Sequence, residues 1–252
     1  MSFITFKDLG KYGHLGNQLF QIATVLAEAK KHNKEAILPV WKYSDCFENK
    51  INQSLNVNLI QNDYNEPNFH YNEIPNQTNL NIKGYFQSEK YFKNAINEIR
   101  YYFLFKLEIL TKITSKWDNI LNKDVCSIHV RRGDYLLHPN HHPFPGISYY
   151  ENACKYFPNS HFLIFSDDIN WCKDNFHFIS NKTFVENQNE IEDLLLMSFC
   201  NDNIIANSSF SWWGSYLNSN ENKKIISPKQ WFGSAYKNMN TEDLYTDKMI
   251  KI

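Results

Sequence analysis

The sequence predicts an α/β protein built as two halves facing each other across a cleft. Three observations carry this. Strand-like and helix-like segments alternate along the second half, the pattern of a parallel sheet with helices on both faces. A shorter succession of strand, glycine loop, helix and strand opens the first half. The chain of 252 residues, 42% of them hydrophobic, suits one large domain or two modest ones with a real core.

In order, residues 3–6 read as a first strand, and Gly10, Gly13 and Gly16 punctuate the loop after it. Leu19, Phe20, Ala23, Leu26 and Ala27 recur at helical spacing over 17–31. A loop of this kind brings backbone close to a ligand and aims helix N–H groups at it. It also serves as a tight structural turn, since its glycines lack both the dinucleotide spacing and the Lys-Ser/Thr of a P-loop. Gly16, Asn17 and Gln18 form a candidate acceptor or donor loop, their amides suited to sugar hydroxyls as much as to capping. Residues 36–40 give a second strand ending at a proline. The Asn-rich stretch 44–82 reads as loops and short strands in an acceptor-facing insertion. Residues 84–87 and then 91–117 read as helical and close the first half, 1–120.

The second half, 121–252, is more regular. Strands are expected at 126–130, 161–165, 177–180, 203–206 and 224–227, and helices at 148–157, 168–175, 190–200 and 210–218. No internal repeat stands out.

Composition narrows the function. With 26 basic and 27 acidic residues the chain has no global field, which argues against nucleic acid as a partner, so any anion must be bound locally. Five scattered cysteines without CxxC spacing indicate neither a disulfide framework nor a zinc site and suit a reducing cytosol. No secretory signal is visible, and the greasiest patch, 101–110, is broken by Lys106 and Glu108 and is too short to cross a bilayer. The expected setting is cytoplasmic, with room for peripheral contact with the inner membrane face.

Three strand ends in the second half converge on unusual polar residues: His129 with Arg131-Arg132, Ser166-Asp167-Asp168, and Asn207-Ser208-Ser209 before Phe210. Parallel neighbours put such ends side by side, where open α/β sheets bind ligands. Arginine suits phosphate charge, a carboxylate can accept from guanine N–H groups, and a serine-rich helix start suits phosphate oxygens. Each also has a structural reading: a salt bridge to Asp134, helix capping by Asp168 or Ser208, core packing for Trp212 and Trp213. Taken jointly, the three favour a nucleoside diphosphate site.

The segments GHLGNQLFQIA (13–23), HVRRGDY (129–135), SDDINWC (166–172) and NSSFSWWGSYL (207–217) resemble, in order, the signature blocks of the α-1,2-fucosyltransferases, glycosyltransferase family 11. The resemblance implies a GT-B fold of two Rossmann-like domains, with 1–120 on the acceptor side and 121–252 binding GDP-fucose. It implies transfer of L-fucose from GDP-fucose to the 2-hydroxyl of a terminal galactose on an oligosaccharide or lipid-linked surface glycan, with inversion. It implies no metal and no cofactor, GDP-fucose being a co-substrate. His129 and Asp167 or Asp168 would then contact guanine, Arg131 and Arg132 would hold the β-phosphate, and Asn207, Ser208, Ser209 and Phe210 would complete the donor site. Asp134 is the carboxylate best placed by sequence to act as base, with His138, His141 and His142 on the following loop as alternatives. The chain departs from the family at Gly13-His14, where two glycines are usual, and in its shortness around 44–82. Both departures bear on acceptor choice. Rival readings are another GDP-sugar transferase, such as a protein O-fucosyltransferase-like enzyme, and a non-catalytic carbohydrate-binding protein.

Overall fold

Short β-branched and aromatic runs between polar turns become parallel strands throughout. The computed structural model describes residues 2–252, which form two units. One runs to Leu107 and takes in Met239–Thr246, and the other comprises Glu108–Asn238 with Asp247–Ile252.

In the first unit, β1 (Phe3–Thr5) leads through the glycine loop into α1 (Leu15–Lys31), followed by β2 (Glu35–Ala36), β3 (Asn62–Asn65) and β4 (Leu80–Lys83). All pairings are parallel, in the order β2-β1-β4-β3. A parallel sheet needs cover, and α1, buried along most of its length through Leu19, Phe20, Ile22 and Leu26, packs on β1 and β2.

Several expectations for this unit are corrected or refined. The stretch 44–82 holds loops and the short strands expected of it, and these, β3 and β4, make half of the sheet. The second strand stops at Ala36: Pro39 has no N–H to donate, Val40 turns to solvent, and the Leu38 N–H bonds instead to the Asn52 carbonyl at 2.8 Å. Residues 84–87 are irregular, with φ of 155° at Gly84 and 51° at Phe86. The helical run 91–117 breaks into α2 (Ile96–Tyr102) and α3 (Leu107–Leu121). Between these two, Phe103 and Phe105 turn onto Phe47, with ring centroids 5.7 and 5.1 Å apart, and the Lys106 N–H bonds to the Cys46 carbonyl at 3.0 Å. Aromatic burial outweighs helix continuity there. Helix α3 belongs almost wholly to the second unit, its Trp117 Nε1 donating to Gln188 at 2.5 Å, so the units divide earlier than the expected 120/121.

The second unit runs β5 (Val125–Val130), α4 (Ile147–Cys154), β6 (His161–Ser166), α5 (Ile169–Asn175), β7 (Lys182–Phe184), α6 (Glu190–Phe199), β8 (Asp202–Ile204), α7 (Ser209–Leu217), β9 (Ile225–Ser227) and β10 (Met249–Lys251). Its sheet is parallel, in the order β10-β9-β8-β5-β6-β7. Counted from β5 and read from the β7 edge, this is the 3-2-1-4-5-6 order of a Rossmann sheet, and the order reverses between β5 and β8. Strand β5 is buried on both faces. Cys126, Ile128 and Val130 join Tyr150, Phe162 and Phe176 in the core, while Ser127 Oγ on the opposite face accepts from Asn203 Nδ2 at 2.7 Å.

Two further corrections concern the edges. The strand expected at 177–180 lies at β7 instead, since Phe176 and Ile179 sink into the core from a turn and pairing with β6 begins at Lys182. Strand β10, unforeseen, pairs with β9 at the other edge. Trp212 and Trp213 are fully buried core residues, Trp212 stacking on Tyr216 at 4.6 Å. Among the described residues, no helix is long and apolar enough to cross a membrane.

Candidate functional site

The strand order reverses between β5 and β8, the place where open α/β sheets bind ligands, and Arg131, Arg132, Asp134, Asp167 and Asp168 cluster just past the carboxyl ends of β5 and β6. β5 runs straight into Arg131. Its Nε and Nη2 lie 2.9 and 2.7 Å from Asp134 Oδ1, and its Nε lies 3.2 Å from Asp167 Oδ2. Asp167, at the end of β6, also accepts the Arg132 backbone N–H on Oδ1 at 2.9 Å. The turn can come this close because residue 133 is glycine: a Cβ there would sit 2.6 Å from Asp167 Oδ2.

Arg132 is held differently. Its Nε meets Asp168 Oδ2 at 3.2 Å, and its guanidinium lies 3.7 Å from the centre of the Trp171 ring and 5.2 Å from that of Phe144. Asp168 in turn caps α5, its Oδ1 accepting the Trp171 N–H at 3.3 Å. Both terminal nitrogens of Arg132 have no protein partner among the described residues, whereas Nη2 of Arg131 is taken by Asp134. The Asp134 side chain is half exposed, and its Oδ1 stays with Arg131.

His129 points from β5 to the face where α7 begins, its ring 5.5 Å from Phe210. It is 5% exposed, and its Nδ1 is buried with no partner. Burial, reinforced by the Arg131 charge, pushes its pKa down to about 3, so the imidazole is neutral at physiological pH. Helix α7 starts at Ser209 with no side-chain cap at Ser208 and no acidic residue in its first turn, leaving a positive helix end beside the arginine turn.

Asn207 does something the sequence did not suggest. Its Nδ2 donates to the carbonyls of Pro143 and Trp231 at 2.9 and 3.0 Å, tying together the loops after β5 and β9. Tyr135 Oη donates to the Asn207 carbonyl at 2.8 Å, linking the same loops to the β8 end, and His142 stacks on the Tyr135 ring at 4.8 Å. His142 is half-buried, and burial lowers its pKa. His138 is exposed, and His141 packs on Tyr236 at 5.0 Å. Tyr135 and Trp171 are the residues that sequence reasoning passed over, although both stand inside the blocks HVRRGDY and SDDINWC.

Gly16, Asn17 and Gln18 lie at the start of α1 in the first unit. Gln18 is buried and structural: its Nε2 donates to the Gly13 carbonyl at 3.1 Å, and its Oε1 accepts from Trp41 Nε1 at 2.8 Å. Asn17 Oδ1 accepts from Gln87 Nε2 at 2.7 Å, joining the glycine loop to the turn after β4. That turn is held by Glu66, whose carboxylate accepts the N–H groups of Tyr85 at 2.7 Å and Phe86 at 3.1 Å; burial pushes its pKa up to about 7.

A Rossmann-ordered sheet with cationic groups, an uncapped helix start and a neutral imidazole at its switch point defines an α/β protein equipped to hold a phosphate-bearing nucleotide. A sequence profile described as glycosyl transferase family 11 matches residues 4–252. The chain belongs to glycosyltransferase family 11. It is 40% identical to the O-antigen biosynthesis glycosyltransferase WbnK of Escherichia coli over 133 residues, 48% of this chain and 44% of that protein. It is 28% identical to an Escherichia coli alpha-1,2-colitosyltransferase over 95% of this chain and 96% of the relative. With galactoside alpha-(1,2)-fucosyltransferase 1 of Rattus norvegicus it shares 26% identity over 81% of this chain, which spans 61% of that protein. Among solved structures, the fucosyltransferase NodZ from Bradyrhizobium aligns over 84% of this chain and 91% of its own, with a TM-score of 0.56 and 13% identity. POFUT1 aligns over 90% and 97%, with a TM-score of 0.59 and 12% identity. The fold is the GT-B type of these fucosyltransferases.

Proposed function

We propose that this protein transfers L-fucose from GDP-fucose to the 2-hydroxyl of a terminal galactose on a surface glycan, forming an α-1,2 linkage with inversion. One observation carries the donor side: β5 and β8 are direct neighbours, so the Arg131-Arg132 turn and the uncapped start of α7 follow adjacent strand ends. The family assignment supports the reaction class, and relatives named for α-1,2 transfer support the linkage.

In this reaction the acceptor oxygen forms a bond to the fucose anomeric carbon as the bond from that carbon to the β-phosphate oxygen breaks. GDP leaves with the electron pair, and the hydroxyl proton passes to a base. Charge grows on the β-phosphate, so arginines there stabilise the transition state more than the ground state. Asp134, its side chain half exposed, takes the base role in this proposal. His129, neutral and with Nδ1 unpartnered, and Asp167 or Asp168 serve the guanine, and Ser208, Ser209 and Phe210 serve the phosphates and ribose. The acceptor is a galactose-terminated oligosaccharide or lipid-linked glycan, met in the cytoplasm at the inner membrane face.

The test is GDP release from GDP-fucose in EDTA, with and without β-galactoside acceptors. Acceptor-dependent release is expected with GDP-fucose and not with GDP-mannose or UDP-galactose. Arg131→Ala and Arg132→Ala should each lower turnover by about 10²-fold or more. Near-normal turnover in both variants would sink the assignment. GDP-colitose belongs in the donor panel as a second reading, favoured by the colitosyltransferase relative that aligns over 95% of this chain.

A further inference from the structure

The SDDINWC block contains an aromatic residue, Trp171, that lies against Arg132, whose terminal nitrogens have no protein partner among the described residues. Trp171 presents its ring face to Arg132 at 3.7 Å, Phe144 closes from another side at 5.2 Å, and the two rings meet edge to face at 5.2 Å. Asp168 links the parts, holding Arg132 Nε with one oxygen and the Trp171 backbone N–H with the other. A guanidinium has few ways to be fixed without spending its terminal nitrogens. Here Nε takes the ion pair and the aromatic rings pack on the guanidinium, so Nη1 and Nη2 keep their donors.

We propose that Trp171 is a positioning residue, with Phe144 as its support: the aromatic shelf locks the Arg132 guanidinium so that both terminal nitrogens are presented to the phosphates of the sugar nucleotide. The inference rests on the donor site proposed above and adds to it the means by which one arginine is preorganised. A flexible arginine at this place would lose side-chain entropy on each binding event and would meet the developing charge less squarely.

The test is a double-mutant cycle between Trp171 and Arg132, read by calorimetric GDP affinity and by kcat and KM for GDP-fucose. Trp171→Leu keeps apolar volume and removes the π-face, and it should lower GDP affinity and kcat/KM about tenfold, in keeping with a cation–π contact of this closeness. Trp171→Phe should recover all but about threefold. In an Arg132→Ala background, Trp171→Leu should add less than about twofold, because the group it positions is gone. A merely structural Trp171 gives the opposite pattern: losses that multiply in the double variant, a lowered melting temperature, and no rescue by phenylalanine. That pattern, or an unchanged GDP affinity in Trp171→Leu, overturns the inference while leaving the donor site standing. If Arg132→Ala itself binds GDP and turns over normally, this inference fails; if Arg131→Ala does so as well, the donor site fails with it. Should Trp171→Leu not fold, Phe144→Leu carries the same cycle, with an expected loss of about threefold that again vanishes without Arg132.

Discussion

At the scale of single residues, the site is built by carboxylates spending their oxygens on backbone and guanidinium groups. Asp167 shows this most plainly: one oxygen fixes the Arg132 N–H, the other pairs with Arg131, and Gly133 is the residue that lets it come so close. Adding a methyl at 133 would force Asp167 off both partners. Gly133→Ala should therefore reduce turnover by at least about tenfold, since displacements of this order at positioning groups are costly, while moving the thermal midpoint little. Kinetics at saturating donor beside a melting curve checks it, and unaltered turnover would show that the Asp167 contacts are incidental. Asp167 and Asp168 also explain why a run of two aspartates follows β6, one buttressing each arginine.

At the scale of elements, much of the fourth signature block is packing. Trp212 and Trp213 fill the core, and Gly214 lies where α7 crosses α6, an added Cβ meeting Met197 Cβ and Sδ at 2.9 Å. Gly214→Ala must push the helices apart, and a loss of about 1–3 kcal/mol in chemical denaturation is expected. An unchanged midpoint would mean that Met197 moves aside freely. α6 itself begins with a full capping box: Asn189 accepts from the N–H groups of Ile191 and Glu192, and Glu192 accepts the Asn189 N–H. By contrast the start of α7 is left without a side-chain cap, as are those of α1, α2 and α4.

At the scale of the whole molecule, two groups that titrate out of their usual range, one in each unit, act on stability in opposite directions. In the first unit Glu66 is raised from about 4.5 to about 7, so between those pH values the folded form keeps a proton that the unfolded chain has lost. Its contribution to stability falls as pH rises through that window. In the second unit His129 is lowered from about 6.5 to about 3, so across that window the unfolded chain binds a proton that the folded form refuses. Its contribution falls as pH drops. Urea titrations at a series of pH values should show Glu66→Gln flattening the first slope and His129→Asn the second, each measured as the difference from the wild type. Parallel curves for variant and wild type would remove the corresponding linkage.

Hydrophobic periodicity and short motifs are local properties, so the α/β class, the alternation of the second half, the convergence of three polar strand ends and the family were legible in the sequence. Val125–Val130 followed by Arg131-Arg132 announces both a buried strand and the charge at its end. The rest depends on partners distant in the chain. The 91–117 helix breaks because Phe47, far upstream, claims Phe103 and Phe105. The stretch 44–82, too polar to show a strand period, becomes half a sheet because β1 offers a parallel edge to β4, and β4 to β3. Asn207 also ties two loops together, because Pro143 and Trp231 present carbonyls to its Nδ2. Which arginine keeps an open fork was likewise beyond the sequence: Arg131 and Arg132 are chemically identical neighbours, and only the placement of Asp134, Asp168 and Trp171 around them tells them apart.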